Sequence, residues 1–261
     1  MNFSWTIDDV ICTDKYLSAY PGDYVKTDLF YTSPIHWRGR VVYPPPPTQH
    51  RIIAGHSDHP VTDEIVKRYP TATWFSVNTQ SVRVTGLPLG ITNDTDESSL
   101  HRIYGNVQMM FDVAHQPRVI KNLVYLNITA GIYNNPVERG MVKAMFRDVP
   151  WVTSTEPVNT LDGRRAFLQD IRSHDFVLCP AGNGVDTHRL WETLYMGSIP
   201  IVKRDIAHSG WTDLPILFVD DWTEVTYDRL IAERARILST TWNLEKLRVG
   251  YWIDRIQQTK Q

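Results

Sequence analysis

FVLCPAGNGVDTHRLWETLYMGSIPIV, running from Phe176 to Val202, breaks into strand, loop, helix and strand. Phe176 to Pro180 is a short apolar run of the kind that fills a buried strand. Ala181 to Thr187 is a turn-forming loop in which Gly182 and Gly184 are free to take positive φ. From Arg189 to Met196 the apolar residues Leu190, Trp191, Leu194 and Tyr195 follow a helical period with one buried face. Gly197 is placed to end that helix, and Ile199 to Val202 reads as a second buried strand. The order predicts a βαβ unit, whose ligands collect outside the carboxyl ends of the strands.

The loop before such a helix offers free backbone N–H groups and the positive end of the helix dipole, which suits a phosphate. Asp186 or Thr187 is positioned to cap the helix. Arg189 and Glu192, three residues apart, fall on one helical face. A guanidinium there can clamp a diphosphate, and a carboxylate one turn later can accept bonds from ribose hydroxyls. An ordinary strand–loop–helix turn with a solvated Arg–Glu pair fits the same spacing, because a glycine-rich loop is a weak signal alone.

The run PAGNGVDTHRLWETLYMGSIPIV resembles the C-terminal signature of the exostosin-like glycosyltransferases of family 47. Gly, Asp, Arg, Trp-Glu and Gly-Ser-Ile-Pro fall in that family's order. The resemblance implies the GT-B fold, two Rossmann-like lobes whose parallel sheets face a central cleft. It places Arg189 and Glu192 at a nucleotide-sugar site, with Gly182, Asn183, Gly184, Asp186 and Thr187 in the donor loop. Upstream, GHSDHP, WFSVN and LPLGI follow the order of the family's N-terminal lobe. The likeness is closest to the compact, soluble members seen in large DNA viruses and some microbes.

Composition sets outer bounds. The chain has 261 residues, 42% hydrophobic and 21% charged, with a formal net charge of -2, long enough for two domains. A near-neutral chain without a dense Lys/Arg run argues against nucleic-acid binding. Cys12 and Cys179 are the two cysteines, and they imply no disulfide framework. The start MNFSWTIDDVICTDKYL lacks a basic then apolar leader, and no segment approaches ~20 apolar residues. The expectation is a cytoplasmic protein or a truncated catalytic domain, with no membrane span. The sequons at Asn2, Asn93 and Asn127 are then coincidental. The nine Trp and twelve Tyr suit sugar stacking, but a core absorbs such rings equally well.

Residues 1–40 read as irregular, with one or two short helices. Tyr43-Pro44-Pro45-Pro46-Pro47-Thr48 reads as an extended connector. Arg51 to Gly55 is a buried strand, Asp63 to Arg68 a short helix behind Thr62, and Ala72 to Val77 the next strand. Val82 to Ile91 is a further extended run, and Leu100 to His115 a helix. Lys121 to Ile128 opens the second half, and a break near residue 118 divides an acceptor-side lobe (1–118) from a donor lobe (119–240). Asn134-Asn135-Pro136 begins a helix carrying Arg139, which resembles the family's arginine beside the donor phosphates; spacing alone fits a solvated arginine equally. Strands are expected at Trp151–Thr153 and Leu214–Val219, and helices at Arg164–Ser173 and Thr223–Leu238. Lys203, Arg204, Asp205 and His208 then stand at the cleft mouth. The amphipathic tail, 241–261, is expected to pack back on the first lobe.

The resemblance implies inversion by direct displacement from a UDP-sugar onto a glycan hydroxyl, with no obligatory metal or other cofactor; xylose is the first expectation for the sugar, and glucuronic acid, galactose and arabinose also occur as donors in the wider family. Such a displacement requires one base, and Asp58 is the first candidate because it follows a strand directly. His56 is the second. A zinc site from His56, Asp58 and His59 has the right ligand types, though adjacent ligands on an extended chain diverge. Two other classes stay open: a nucleotide-sugar or glycan-binding module without catalysis, and a metal-dependent GT-A transferase using Asp94 and Asp96.

Overall fold

The computed structural model describes residues 3–27, 35–37, 40–42, 45, 48, 50–93, 99–131 and 135–259, with 35–37, 40–42 and 99 described in backbone only. Most of the proline run (Tyr43, Pro44, Pro46, Pro47), the Asp94/Asp96 pair and Asn134 lie outside the described residues.

The chain is an α/β protein with two parallel sheets. The strands are β1 (Tyr24–Lys26), β2 (Ile35–Trp37), β3 (Arg40–Val42), β4 (Arg51–Gly55), β5 (Thr73–Ser76), β6 (Val84–Gly86), β7 (Asn122–Asn127), β8 (Val152–Thr155), β9 (His174–Leu178), β10 (Ile199–Lys203) and β11 (Leu217–Val219). The first sheet has the order β1-β4-β5-β6 and the second β11-β10-β9-β7-β8, all pairs parallel; β2 and β3 form a separate antiparallel pair. The helices are α1 (Thr13–Ala19), α2 (Asp63–Arg68), α3 (Ser99–Tyr104), α4 (Val107–Ala114), α5 (Pro136–Phe146), α6 (Leu161–Arg172), α7 (His188–Tyr195), α8 (Tyr227–Ser239) and α9 (Val249–Gln258).

The order of the second sheet locates a crevice. From β7 the chain crosses to β8 at one edge, then returns to β9 on the other side of β7. Connections therefore leave β7 and β9 in opposite directions, and the space outside their carboxyl ends is open to a ligand.

Several expectations change. Residues 1–40 contain an edge strand, β1, paired to β4 in register Tyr24 to Ile53. It is too short to show a period of its own. The single helix expected over 100–115 is two, broken at Gly105, with Asn106 capping α4 through the Met109 N–H at 2.9 Å. Only Val84–Gly86 of the expected extended run 82–91 is strand. The helix expected from Thr223 begins at Tyr227, because Thr226 is its N-cap.

Helix α7 does not have a solvated face. Leu190 to Tyr195 are all buried, Glu192 included. The central apolar cluster joins Ile53, Phe75 and Val77 of the first half to Val177, Leu190, Trp191 and Val202 of the second, so α7 is packed on every side. Trp191 is fully buried, and an indole of that kind removes about 150–250 Å² from water, worth at most about 4–6 kcal/mol. Trp5, Trp74, Trp211, Trp222 and Trp252 are also core residues. Gly197, with φ +79°, turns the chain out of α7 in the left-handed conformation that glycine adopts without strain. The tail α9 lies against α1, with the Tyr20 hydroxyl donating to the Ile253 carbonyl (2.9 Å) and Arg248 paired to Asp9. Among the described residues, no helix is long and apolar enough to cross a membrane.

Candidate functional site

A cavity of about 330 Å³ opens at the crevice. Asn127 at the end of β7, Arg139 on α5, Arg164 and Phe167 on α6, the glycine loop and the start of α7 form one wall. Asp58, Leu89 and Thr92, from loops after strands of the first sheet, form the other.

The glycine loop departs from expectation in its backbone. Neither Gly182 nor Gly184 takes positive φ. Gly184 is required by close approach instead, since a Cβ there would lie 2.8 Å from Nδ2 of Asn78. Asn78 cannot give way easily. Its Nδ2 donates to the Ser57 carbonyl (3.2 Å) and its Oδ1 accepts from the Asp186 N–H (3.2 Å). Asn78 thus links the glycine loop to the loop carrying Asp58.

Three arginines line the cavity, Arg139, Arg164 and Arg189. Arg139 is buried, its Nε donating to the Thr129 carbonyl at 2.8 Å and its Nη1 to the Ala181 carbonyl at 3.4 Å. Burial, with Arg189 nearby, lowers its pKa to about 10, so it stays cationic at neutral pH. Arg164 is almost wholly buried and pairs with Glu192 at 2.7 Å. Its Nη2 also donates to the Tyr104 carbonyl (2.9 Å), while Nε and Nη1 have no partner among the described residues. The guanidiniums of Arg164 and Arg189 lie 5.4 and 5.7 Å from the Phe167 ring centroid. The Glu192 carboxylate is thus committed to Arg164, not left as half of a solvated Arg189–Glu192 pair. Beyond the Arg164–Glu192 pair, Arg139 and Arg189 bring positive charge to the strand-end crevice, where it can attract an anion.

Asp186 does not cap α7 by the expected route. Thr187 is the N-cap residue, without a side-chain cap bond. The Asp186 carboxylate accepts from the Leu89 N–H (2.7 Å) and from Trp191 Nε1 (2.9 Å), tying the glycine loop to the first half. Burial raises its pKa to about 7, against the bonds it accepts. Between pH ~4 and ~7 the folded state therefore keeps a proton that the unfolded state has lost. The Asp186 contribution to stability falls as pH rises through that window, by at most about 1.4 kcal/mol per pH unit. Burial lowers the pKa of His174, His188 and His208, which gives the opposite slope, so the test is a difference. Urea unfolding of wild type and Asp186→Asn between pH 4 and 7 is expected to show wild type losing ground to the variant as pH rises. A flat difference would mean that Asp186 titrates normally.

On the first-half side, Asp58 is exposed and lines the cavity. His56 does not reach it. Its Nδ1 lies 2.5 Å from the Tyr24 hydroxyl and its Nε2 2.9 Å from Asp14 Oδ1, with φ +53°. Both ring nitrogens are engaged away from the cavity, and His59 is exposed in the loop beyond. Among the described residues, no three His, Cys, Asp or Glu side chains gather to hold a metal ion. Lys203, Arg204, Asp205 and His208 line a second cavity, of about 370 Å³, on the far side of the glycine loop. His208 is buried there, with its pKa lowered to about 4. Cys179 is a buried free thiol whose pKa is raised to about 12.

Sequence reasoning missed Arg164, Phe167, Tyr104, Asn127 and His188. Arg164 sits in the first turn of α6 behind the Thr160 cap, 28 positions from Glu192, and no local period links the two.

The model of the RXYLT1 C-terminal domain matches residues 125–259, from β7 to the end of α9. The chain is similar to ribitol-5-phosphate xylosyltransferase 1 of Homo sapiens, 23% identical over 162 residues, covering 53% of this chain and 34% of that protein. The Danio rerio protein of the same name is 26% identical over 117 residues, covering 39% of this chain and 26% of that protein. The Mus musculus protein is 22% identical over 146 residues, covering 47% and 32%. The chain spans about a third or less of the length of these relatives.

Proposed function

This chain belongs to the family of the RXYLT1 C-terminal domain, and on that premise we propose that it is an inverting glycosyltransferase of the exostosin-like, GT-B type. Residues 1–118 form its acceptor-side lobe, 119–240 its donor lobe, and the tail closes back on the first. The observation that carries the reading is the placement of three arginines at the crevice of the second sheet, in one cavity with an exposed carboxylate from the first.

The donor is a UDP-sugar. Arg139, Arg189 and the N–H groups of the glycine loop hold its diphosphate, with Arg164 and Glu192 as the buried pair behind them. UDP-xylose is the first donor to try, because the relatives are named as xylosyltransferases. Their name also makes a ribitol 5-phosphate group the first acceptor, within the wider class of glycan hydroxyls. The acceptor oxygen attacks the anomeric carbon from the face opposite the leaving group. The bond to the diphosphate breaks, and its electron pair leaves with UDP. Guanidiniums in a partly dry pocket stabilise the charge that develops on the leaving oxygen, and they stabilise it more than they would in water. The acceptor proton passes to Asp58.

The test is UDP release and product formation with UDP-xylose, UDP-glucuronic acid, UDP-galactose and UDP-arabinose, alongside thermal stabilisation by each. A folded protein stabilised by none of them would end this reading. Activity that is lost in EDTA and restored by manganese would favour a metal-dependent site at Asp94 and Asp96 instead. Arg189→Ala is expected to weaken UDP binding by about 1.5–3 kcal/mol, the worth of a charged hydrogen bond, or roughly 10- to 150-fold by calorimetry. Unchanged affinity in the folded variant would remove Arg189 from the donor site.

A further inference from the structure

His188 is the first residue of α7 and lines the same cavity as the arginines and Asp58. Its Nδ1 lies 2.8 Å from the Gly90 carbonyl oxygen. A carbonyl can only accept, so Nδ1 carries the proton and the tautomer is fixed. In the neutral ring Nε2 is then a bare acceptor, and it has no partner among the described residues. The Gly90 carbonyl is itself held firmly. Gly90 has φ +70°, and a Cβ there would lie 2.1 Å from the Ile11 carbonyl oxygen. The Ile91 N–H next to it donates to that same oxygen at 2.8 Å. The imidazole is therefore aimed by the first half while growing from the second.

Burial lowers the His188 pKa from 6.5; the carboxylates of Glu192 and Asp58 act against that shift and Arg164 acts with it. A neutral ring with a lone pair on Nε2 is a poor partner for a phosphate oxygen, which also presents lone pairs. Arg139 and Arg189 already supply the donors a diphosphate needs. What Nε2 can take is a hydroxyl proton donor. We propose that His188 contacts substrate, its Nε2 accepting a hydrogen bond from a substrate hydroxyl in the cavity it shares with the arginines and Asp58. That hydroxyl belongs either to the transferred sugar or to the acceptor. The proposal rests on the UDP-sugar reading of this cavity.

Two variants separate this role from a tie between the halves. Asn places its Nδ2 near the position of Nδ1, so His188→Asn keeps the bond to Gly90 and removes the Nε2 acceptor. Gln places an oxygen near Nε2, so His188→Gln keeps the acceptor and loses the tie. Calorimetry with UDP and with the UDP-sugar that wild type binds best, plus kcat and acceptor KM, reads both. His188→Asn is expected to bind UDP within about 2-fold of wild type. If the hydroxyl is the sugar's, the variant binds the UDP-sugar 10- to 100-fold more weakly; if it is the acceptor's, donor affinity holds and kcat/KM for the acceptor falls by that factor. His188→Gln is expected to recover most of the loss.

Wild-type values for UDP-sugar and acceptor in His188→Asn would overturn the proposal, as would an equal loss of UDP itself. If His188→Asn does not fold, His188→Gln decides: near-wild-type donor and acceptor constants support the contact, and their loss overturns it. Wild type failing to bind any UDP-sugar would be a failure of the donor reading, seen before any variant is compared.

Discussion

Asp58→Asn is expected to lower turnover by roughly 10²–10⁴-fold, the usual worth of a positioned general base, with UDP affinity almost unchanged. The carboxylate stands in the loop after β4, exposed at the cavity edge, while the arginines that would hold a diphosphate belong to α5 and α7. A base acts on the acceptor proton in the transition state and touches the donor little. Asn keeps the shape and the turn preference but cannot take the proton. Turnover, UDP calorimetry and a melting curve on this one variant suffice. A folded variant active within a few-fold of wild type would end the assignment. His56 would not be its natural replacement, because both its ring nitrogens are engaged with Tyr24 and Asp14.

The second large effect is on stability. Arg164 and Glu192 pair at 2.7 Å with side chains 1% and 5% exposed. Glu192→Ala leaves a guanidinium buried without its counter-charge, and two of its nitrogens already lack partners among the described residues. Breaking a buried pair from one side costs about 3–5 kcal/mol, which for a chain of this size lowers Tm by roughly 6–20 °C. Arg164→Met is expected to be similarly harmful, since it strands the carboxylate. The double variant Arg164→Met/Glu192→Met removes both charges and is expected to recover a large part of the loss. Strict additivity of the two single variants would show that the pair is not coupled. Reduced UDP binding by Glu192→Ala has to be read against this stability loss, since the carboxylate acts on the pocket through Arg164.

Local signals in the chain gave strand β4 and helix α2 at their observed limits, Arg51–Gly55 and Asp63–Arg68. The first is an apolar run that has to be buried; the second follows a Thr cap and carries acidic residues in its first turn and basic residues in its last. The loop–helix–strand unit from Gly182 to Val202, with Gly197 ending the helix, was legible for the same reason. Each of these features is decided by residues within a few positions of one another.

What the tertiary structure alone decided is everything that depends on residues far apart in the chain. The amphipathic pattern of α7 gave no hint that Glu192 is buried, because the group that meets its carboxylate is Arg164 on α6, outside the helix itself. Asp186 looked like a cap and became a tie to Leu89, 97 positions away. Arg164 found Glu192 across 28 positions, and His188 found the Gly90 carbonyl across 98. The crevice itself exists because β7 lies between β8 and β9, an order of strands that no period in the sequence encodes. Periodicity and capping reflect forces that act over one or two turns of chain. The partners of a buried charge are set by the order in which sheets and helices stack, so the sequence by itself determined the elements and their loops, and packing determined which of their side chains meet at the site.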